Sequence, residues 1–269
     1  MINKLKQAFQ VKEIRKKLTF TFLMVVVFRM GTTIPVPGID TSIIKNMVEN
    51  NSLLGLYNMF SGGAFSNFTI FALGIGPYIT ASIIIQLLTA GFESLKELQK
   101  SGEEGKKKIS KYTRLTALAL AIIQAVGITL GIVRSALKVN SSFFIFTVII
   151  TLVAGSMMVM WLGDRITEKG IGNGSSILIF VGIISRLPVD IIAIQEKASI
   201  GALKWPAIVT VIVVVLITIT GVTFINESTR KIPVQYAKRV VGRKMYGGES
   251  SHIPMKVNSS GVLPIIFAV

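Results

Sequence analysis

An apolar stretch with an interruption at its middle, residues 61–90, constrains this chain more than any other feature. A short apolar piece at 68–73 is followed by Gly-Ile-Gly-Pro at 74–77, and a longer apolar piece begins at Tyr78. Proline lacks an amide donor and disfavours helix at the preceding residue, and the glycines weaken the helix further. Backbone groups freed within lipid must be buried in protein or line a water-filled cavity. The stretch is therefore either part of a pathway through a membrane or an ordinary proline-kinked span.

The composition indicates a polytopic membrane protein. Of the 269 residues, 51% are hydrophobic, and the mean hydropathy of +0.66 is well above that of soluble domains. The chain has no cysteine, which excludes disulfides, zinc–thiolate sites and thiol nucleophiles. Its one histidine, His252, cannot form a multi-histidine metal site, and we expect it in a solvated loop. We therefore predict no metal and no cofactor.

Apolar segments of membrane-spanning length recur along the chain. Each full segment has about the 20 residues needed to cross ~30 Å of hydrocarbon. The predicted spans are 18–37, 61–90, 113–133, 143–163, 175–194 (broken near 186–188) and 205–225. The predicted polar loops include 38–57, 91–114, 164–174 and 226–258. A signal peptide is a competing interpretation of the first span, but no small-residue cleavage site follows it.

A seventh apolar segment begins at residue 259 and reaches Val269. Residues 261–269 would form only about 14 Å of helix, which is too short to span. We therefore expect the sequence to be a fragment. Apolar surfaces that the remainder normally covers would permit non-native self-association.

The basic residues are concentrated in alternate loops. Of the 29 lysines and arginines, 22 lie in 1–17, 91–114, 164–174 and 226–258, and six lie in the loops between them. Cytoplasmic loops carry such an excess, so we predict a cytoplasmic amino terminus with an amphipathic segment at 1–17. The alternation also requires residues 61–90 to cross the membrane once. Topology thus explains most of the net charge of +16, and no binding to DNA follows from it.

The predicted spans contain no catalytic or ion-binding set. Asp164 and Glu227 lie at span ends, whereas a proton-coupled transporter normally places a carboxylate or histidine near the bilayer midplane. The sequence GIGNGSS at 170–176 lacks the lysine of a phosphate loop, so we interpret it as a helix cap. The candidate capping residues are Asn173, Ser175 and Ser176.

Several polar residues lie in or near the predicted spans. For Arg29 we favour snorkelling to the outer interface over pairing with a polar group at the break in 61–90. Gln86 is expected to hydrogen-bond to another helix, or else to belong to a moving helix interface. Ser66 and Asn67 are expected to cap a short helix that follows them.

Two further features leave their alternatives open. Ile75 and Ile79 are four residues apart and share a helix face, which fits either an apolar constriction or simple lipid contact. In the loop at 226–258, four basic residues lie among apolar and aromatic ones. They are Lys238, Arg239, Arg243 and Lys244. Such a cluster contacts either anionic lipid or an acidic partner or RNA in the cytosol.

Several long motifs closely resemble the bacterial SecY family, whose members form the pore of the Sec protein translocon. The motifs are RMGTTIPVPGID (29–40), MFSGGAFSNFTIFALGIGPYITASIIIQLL (59–88), GEEGKKKISKYTR (102–114), MWLGDRITEKGIGNGSSI (160–177), PVQYAKRVVGRKMYGG (233–248) and HIPMKVNSSGVLP (252–264). The resemblance runs in register from the first span to the last residue.

The resemblance implies an all-α polytopic fold of ten spans, in two inverted five-span halves that face each other like a clam shell. This chain would supply the first half at 18–194, the sixth span at 195–225, a cytoplasmic docking loop at 226–258 and the start of the seventh span at 259–269. The lateral gate between the halves would be only half present. The fold would lie in the cell membrane, with SecE and SecG as membrane partners.

Site residues follow from the resemblance position by position. A short half-helix at 61–73 resembles the plug that seals the outer funnel. The plug residues are Ser61, Gly62, Gly63, Phe65, Asn67, Phe68 and Phe71. The pore ring would contain Ile75, Ile79, Ile179 and Ile266, whereas Ser175 departs from the family's isoleucine and is left out. Thr80 and Gln86 would lie on the lateral gate.

The implied activity is conduction of unfolded polypeptides, without catalysis by the chain itself. Signal peptides and nascent chains would be the substrates, and an apolar signal helix would leave sideways into lipid. Arg239, Arg243 and Lys244 resemble the docking site for the ribosome and the SecA motor, and 164–174 resembles a secondary one. A small-solute secondary transporter is the alternative hypothesis, disfavoured because no carboxylate or histidine is expected near the bilayer midplane. A membrane enzyme would need a catalytic set that the sequence lacks.

Overall fold

The computed structural model describes residues 11–137, 141–200, 205–234, 239–241, 244–246 and 251–258. The chain divides into two compact units, Met1–Asp190 and Ile191–Val269. The described part is predominantly helical, as the sequence predicts.

Within the described residues, the first unit consists of helices, and its longest connection is the stretch 61–75. Its helices are α1 (Lys12–Gly31), α2 (Thr41–Asn50), α3 (Ser52–Phe60), α4 (Gly76–Gly91), α5 (Glu93–Lys100), α6 (Gly102–Gly131), a 3-10 helix (Val133–Ala136), α7 (Ser142–Lys169) and α8 (Gly174–Ile184). Helix α9 (Leu187–Ser199) contains the boundary between the units.

The second unit contains one long helix and two β-hairpins. Helix α10 (Trp205–Glu227) is apolar and exposed along its length. Strand β1 (Thr229–Val234) pairs antiparallel with β4 (Ser251–Lys256), with Thr229 opposite Lys256. Strand β2 (Arg239–Val241) pairs with β3 (Lys244–Tyr246). The predicted docking loop is thus partly ordered as strands, which the sequence reading did not anticipate.

Within the described residues, four helical stretches are long and apolar enough to cross a membrane. They are α6, α7, α8 together with α9, and α10. A fifth is counted if α4 and α5, which meet at a bend of 103°, form one span. Helix α1 falls outside this set because charged residues occupy its first turns. The multi-pass architecture predicted from hydropathy is therefore present.

Several predicted loop and span boundaries are wrong. The loop predicted at 38–57 contains α2 and α3, whose first turns are capped by Asp40 and Asn51. The stretch predicted as solvated loop at 91–114 is helical, because its glutamates and lysines are good helix formers. The helix of the first predicted span ends at Gly31, before the two prolines that follow.

Small side chains let α6 lie close to its neighbours. Its buried face carries Thr113, Ala117, Ala121 and Ala125, four residues apart. Such spacing puts all four on one side of the helix. Helix α4 presents Ala81, which packs in the same cluster as Ala117. Close approach through small residues is the usual way in which membrane helices associate.

Candidate functional site

Residues 61–75, which we call the turn segment, form successive turns instead of the predicted half-helix. Gly62, Gly63 and Gly74 have φ angles of 67°, 86° and 55°, which belong to the left-handed region that glycine tolerates. Phe68 also has a positive φ, of 42°, which is uncommon for a bulky residue. A right-handed helix cannot continue through these positions.

Asn58 and Ser61 hold the beginning of the turn segment. The Ser61 hydroxyl donates to the Asn58 carbonyl at 3.0 Å and accepts from the Phe65 amide at 3.2 Å. The Asn58 side-chain carbonyl accepts from the Ser66 amide at 2.9 Å. Both side chains are buried. The prediction that Ser66 and Asn67 cap a helix is wrong, because no helix follows them before α4.

The middle of the turn segment pairs with the chain that leaves α1. The Val36 amide donates to the Phe68 carbonyl at 2.9 Å, and the Ile70 amide donates to the Ile34 carbonyl at 3.1 Å. These bonds flank an antiparallel bridge between Pro35 and Thr69. The pairing satisfies backbone groups that would otherwise be buried without partners.

Two hydroxyls hold the end of the turn segment. The Tyr57 phenol donates to the Leu73 carbonyl at 2.9 Å, and the Ser156 hydroxyl donates to the Gly74 carbonyl at 3.2 Å. Burial raises the pKa of the Tyr57 phenol above its ordinary value, so the group remains a donor. The Tyr57 ring also meets the Phe65 ring edge-on at 5.1 Å.

Three glycines on the surrounding helices make room for the turn segment. A side chain at Gly31 of α1 would overlap the Phe71 ring, and one at Gly155 of α7 would overlap the Ile70 carbonyl oxygen. At Gly182 of α8, a Cβ would lie 3.1 Å from the Phe60 carbonyl oxygen. The chain can approach these helices so closely only because glycine has no side chain at the three positions.

Three of the four predicted ring isoleucines lie in or against one apolar cluster. Ile75 is 7% exposed and belongs to the buried part of the cluster, and the half-buried Ile79 and Ile179 pack against it. Other buried members of the cluster are Phe28, Phe71, Val159, Leu162, Ile166 and Leu178. Ile266, the fourth predicted ring residue, lies outside the described residues. Residues at the start of α4 and in α8 thus pack against the same apolar cluster, which also contains Phe71 of the turn segment.

The aromatic residues of the predicted plug are fully buried. Phe65, Phe68 and Phe71 are at most 1% exposed, and the Phe71 ring stacks on Phe28 of α1 at 6.0 Å. Asn67, in contrast, is exposed. The turn segment is therefore anchored by its phenylalanines and is polar where it is exposed.

The two predicted gate residues lie on the exposed side of α4. Thr80 and Gln86 are both exposed, and the Thr80 hydroxyl donates to the Gly76 carbonyl of its own helix at 3.2 Å. The opposite side of α4 packs in the first unit through Ala81 and Ile85. Thr80 and Gln86 are thus placed on a different face from the packed small residues.

Arg29 forms a hydrogen bond that the sequence reading did not favour. Its guanidinium donates to the Ser185 hydroxyl at 2.9 Å, at the C-terminal end of α8. Snorkelling to the outer interface is compatible with this contact and stays a prediction, whereas the partner found is Ser185 and not the alternative, a polar group at the break in 61–90. At the other end of α8, the Asn173 side chain accepts from the amides of Ser175 and Ser176, which confirms the predicted cap.

Two of the three predicted docking residues lie on short strands of the second unit. Arg239 begins β2 and Lys244 begins β3, whereas Arg243 lies outside the described residues. Two further basic residues, Arg230 and Lys231 on β1, are exposed.

Sequence reasoning missed the residues that hold the turn segment, namely Tyr57, Asn58 and Ser156, and the glycines that accommodate it. Asn58 and Ser61 carried a local signal, since short polar side chains before a pair of glycines favour side-chain-capped turns. Ser156 carried none, because it lies 82 positions from the carbonyl that it contacts.

Comparison with known proteins assigns the family. The SecY family model matches residues 69–269. The protein translocase subunit SecY of Streptomyces galbus is 46% identical, over all of this chain and 64% of its own length. That of Escherichia coli K12 is also 46% identical, over 95% of this chain and 59% of its own length. The chain thus spans about three-fifths of the length of these relatives.

Solved structures agree at the level of the fold. A structure described as that of a protein-conducting channel superposes with a TM-score of 0.65 at 22% identity, covering 91% of this chain and 54% of its own. A structure concerned with the plug domain of the SecY protein gives a TM-score of 0.63 at 21% identity, covering 91% and 53%. Together with the family match over three-quarters of its residues, this shows that the chain belongs to the SecY family.

Proposed function

We propose that the chain forms the N-terminal part of a channel that passes unfolded secretory polypeptides across the cytoplasmic membrane and membrane proteins laterally into it. The observation that carries this proposal is the position of the turn segment, which is tethered at both ends and lies directly before an apolar cluster containing Ile75, Ile79 and Ile179. A removable segment beside an apolar constriction is what a closed polypeptide channel requires.

The constriction would seal by exclusion. A narrow ring of branched apolar side chains loses its water and so resists ions without binding them. Ile75, Ile79 and Ile179, with Ile266, would form this ring. A polypeptide in transit would displace the turn segment and be surrounded by the same side chains. Because no charge in the ring contacts the substrate, many sequences could pass.

The turn segment would be the plug. Its three buried phenylalanines give it a defined seat, and its glycines at 62, 63 and 74 provide the backbone freedom to leave that seat. The tethers described above are individual hydrogen bonds, each worth about 0.5–1.5 kcal/mol net. Such a seat is stable at rest and can be displaced by a bound substrate.

The gate would lie along α4. Thr80 and Gln86 are exposed on its side away from the packed small residues, where the second half of a clam shell would close against them. An apolar signal helix would move between the halves into lipid, because lipid offers it a better environment than an aqueous pore.

The partners would be those of a translocon. The ribosome or the SecA motor, which would supply the energy for translocation, would dock at Arg239, Arg243 and Lys244. Residues 164–174 would form a secondary contact, and the amino terminus would lie in the cytoplasm. A solved relative of the fold was captured as Sec61 in a canine ribosome–channel complex, with a TM-score of 0.61. SecE and SecG would be the membrane partners. The small-solute transporter hypothesis is not favoured, since the family relatives are named as protein translocase subunits.

Site-specific crosslinking tests this function. The chain would be joined at Val269 to the C-terminal remainder of the Streptomyces galbus relative, reconstituted, and loaded with a stalled secretory precursor. Photoreactive residues at Ile79 and Ile179 should crosslink to the precursor, whereas one at Ile123, which is 66% exposed on α6, should crosslink to lipid. Transport activity without crosslinks at either isoleucine would contradict the proposal.

A further inference from the structure

Arg29 is a charged residue within the apolar half of α1, and the proposed channel function gives it no role. A charged residue that follows an apolar run in the last turn of a helix usually marks a contact whose partner should be identified. The partner is Ser185, the residue that follows the last turn of α8, at 2.9 Å. The side chain of Arg29 is half-buried, so the contact is at least partly shielded from solvent.

The hydroxyl of Ser185 connects Arg29 to the backbone of Gly182. This hydroxyl accepts from Arg29 and donates to the Gly182 carbonyl at 2.7 Å. A hydroxyl with both roles filled has a fixed orientation.

Gly182 is where α8 contacts the turn segment. A Cβ on Gly62 would lie 2.9 Å from the Gly182 Cα, and one on Gly182 would lie 3.1 Å from the Phe60 carbonyl oxygen. The two backbones therefore touch without any intervening side chain. A shift of α8 by a few tenths of an ångström would open or overfill this contact, since packed interiors tolerate little change in volume.

We infer that Arg29 is a positioning residue for the seat of the turn segment: through Ser185 it fixes the end of α8, so that Gly182 stays in contact with Gly62. Helix α8 is then held at one end by the Asn173 cap and at the other by Arg29. The effect of Arg29 on channel closure rests on the proposed plug role of the turn segment. The position of the segment against α8 can be measured without transport.

Accessibility of a single cysteine tests the seating. The chain has no natural cysteine, so Ala64→Cys, at a position that is 0% exposed, would report release of the turn segment through its rate of reaction with a maleimide in membranes. Since a hydrogen bond to a charged group is removed, R29Q and S185A should each raise this rate roughly tenfold or more. The double variant should resemble the single ones, because both remove the same interaction.

Two controls separate seating from general loss of structure. R134Q removes an exposed arginine from the 3-10 helix and should leave the Ala64→Cys rate unchanged. Ala121→Cys, buried on α6, should react equally slowly with and without R29Q. An unchanged Ala64→Cys rate in R29Q overturns the inference, and so does an equal increase at Ala121→Cys.

A second arm links seating to the proposed function. In the chimaera joined at Val269, R29Q should raise the resting ion conductance, and R29K should restore part of the seal because lysine keeps a donor and the charge. Deleting residues 61–71 should raise the conductance further. If the deletion does not change the conductance while R29Q still raises the Ala64→Cys labelling rate, the plug function fails and the positioning role of Arg29 stands. If R29Q does not change the labelling rate, the positioning role fails, whatever the conductance.

Discussion

The phenol of Tyr57 in α3 donates a hydrogen bond to the carbonyl of Leu73, and this 2.9 Å contact joins the helix that precedes the turn segment to the end of that segment. Because the segment begins at the end of α3, the bond closes a loop of sixteen positions upon itself. The loop is completed by the edge-on contact between the Tyr57 and Phe65 rings. Tyr57 is thus the residue through which the beginning, middle and end of the segment are connected.

Removing the Tyr57 hydroxyl should loosen the turn segment without disturbing its packing. Y57F keeps the ring contact with Phe65 but leaves the Leu73 carbonyl without this donor, which should cost about 1–3 kcal/mol of unfolding free energy. Denaturant unfolding in detergent measures the change. Y112F, at an exposed tyrosine of α6, is the matched control and should be close to neutral. Equal effects of the two variants would show that the hydrogen bond contributes nothing specific.

The same residue should make stability depend on pH in the alkaline range. The pKa of Tyr57 is raised in the folded state by burial, so above a pH of about 10 the unfolded chain loses this proton while the folded chain keeps it. Stability is therefore fully present below that pH and falls above it, by up to about 1.4 kcal/mol per pH unit. The difference in slope between the parent chain and Y57F isolates this contribution from that of the lysines. Parallel pH profiles would contradict it.

Hydropathy was sufficient to predict the spans at 113–133, 143–163, 175–194 and 205–225 because each is a long apolar run. Asn173 was predictable as a cap because its partners are two and three residues away. The form of residues 61–75 was not predictable from local pattern. Its short apolar run at 68–73 looks helical in isolation, but the chain leaving α1 pairs with Phe68 and Ile70, and Ser156 binds the Gly74 carbonyl. Contacts between distant residues override local propensity here.

The partner of Arg29 was unpredictable for a similar reason. A lone arginine near a span end can snorkel to the interface and also bind a neighbouring helix, and its partner Ser185 lies 156 residues away in the sequence. The predicted loops at 38–57 and 91–114 failed for a different reason. Polar residues indicate contact with solvent, but they do not distinguish a loop from an amphipathic helix such as α2, which exposes its polar side to solvent.

Gly155 should be one of the least replaceable residues around the turn segment. G155A places a Cβ onto the carbonyl oxygen of Ile70, and relieving that overlap requires a backbone shift that should cost about 1–3 kcal/mol. G127A, on α6 with nothing within 4 Å of the added atom, should instead be neutral or stabilising by up to about 1 kcal/mol. Thermal unfolding of both variants in the same detergent makes the comparison. A G155A variant as stable as G127A would mean that α7 does not contact the segment as described.

Polar substitution in the apolar cluster should weaken the proposed seal while leaving the fold intact. Ile79 is half-buried at the edge of the cluster, so I79N should cost little stability but should admit water, because an apolar constriction excludes ions only while it stays dry. Ion conductance of the chimaera at rest should rise several-fold. I123N, at an exposed position of α6, is the control for a polar group in a span. A rise confined to I123N would contradict the ring assignment.

The ion pair between Arg114 of α6 and Asp164 of α7 should couple these two helices weakly. The charged groups are 2.8 Å apart, but the side chains are 53% and 26% exposed, so screening reduces the gain to about 0.2–1 kcal/mol. A double-mutant cycle with R114Q and D164N measures the coupling, which should decrease as salt is raised. The Arg165–Glu168 pair, within one helix and with its glutamate 60% exposed, provides the comparison and should give no more than about 0.5 kcal/mol. If R114Q and D164N prove additive, the ion pair contributes nothing measurable to the association of α6 with α7.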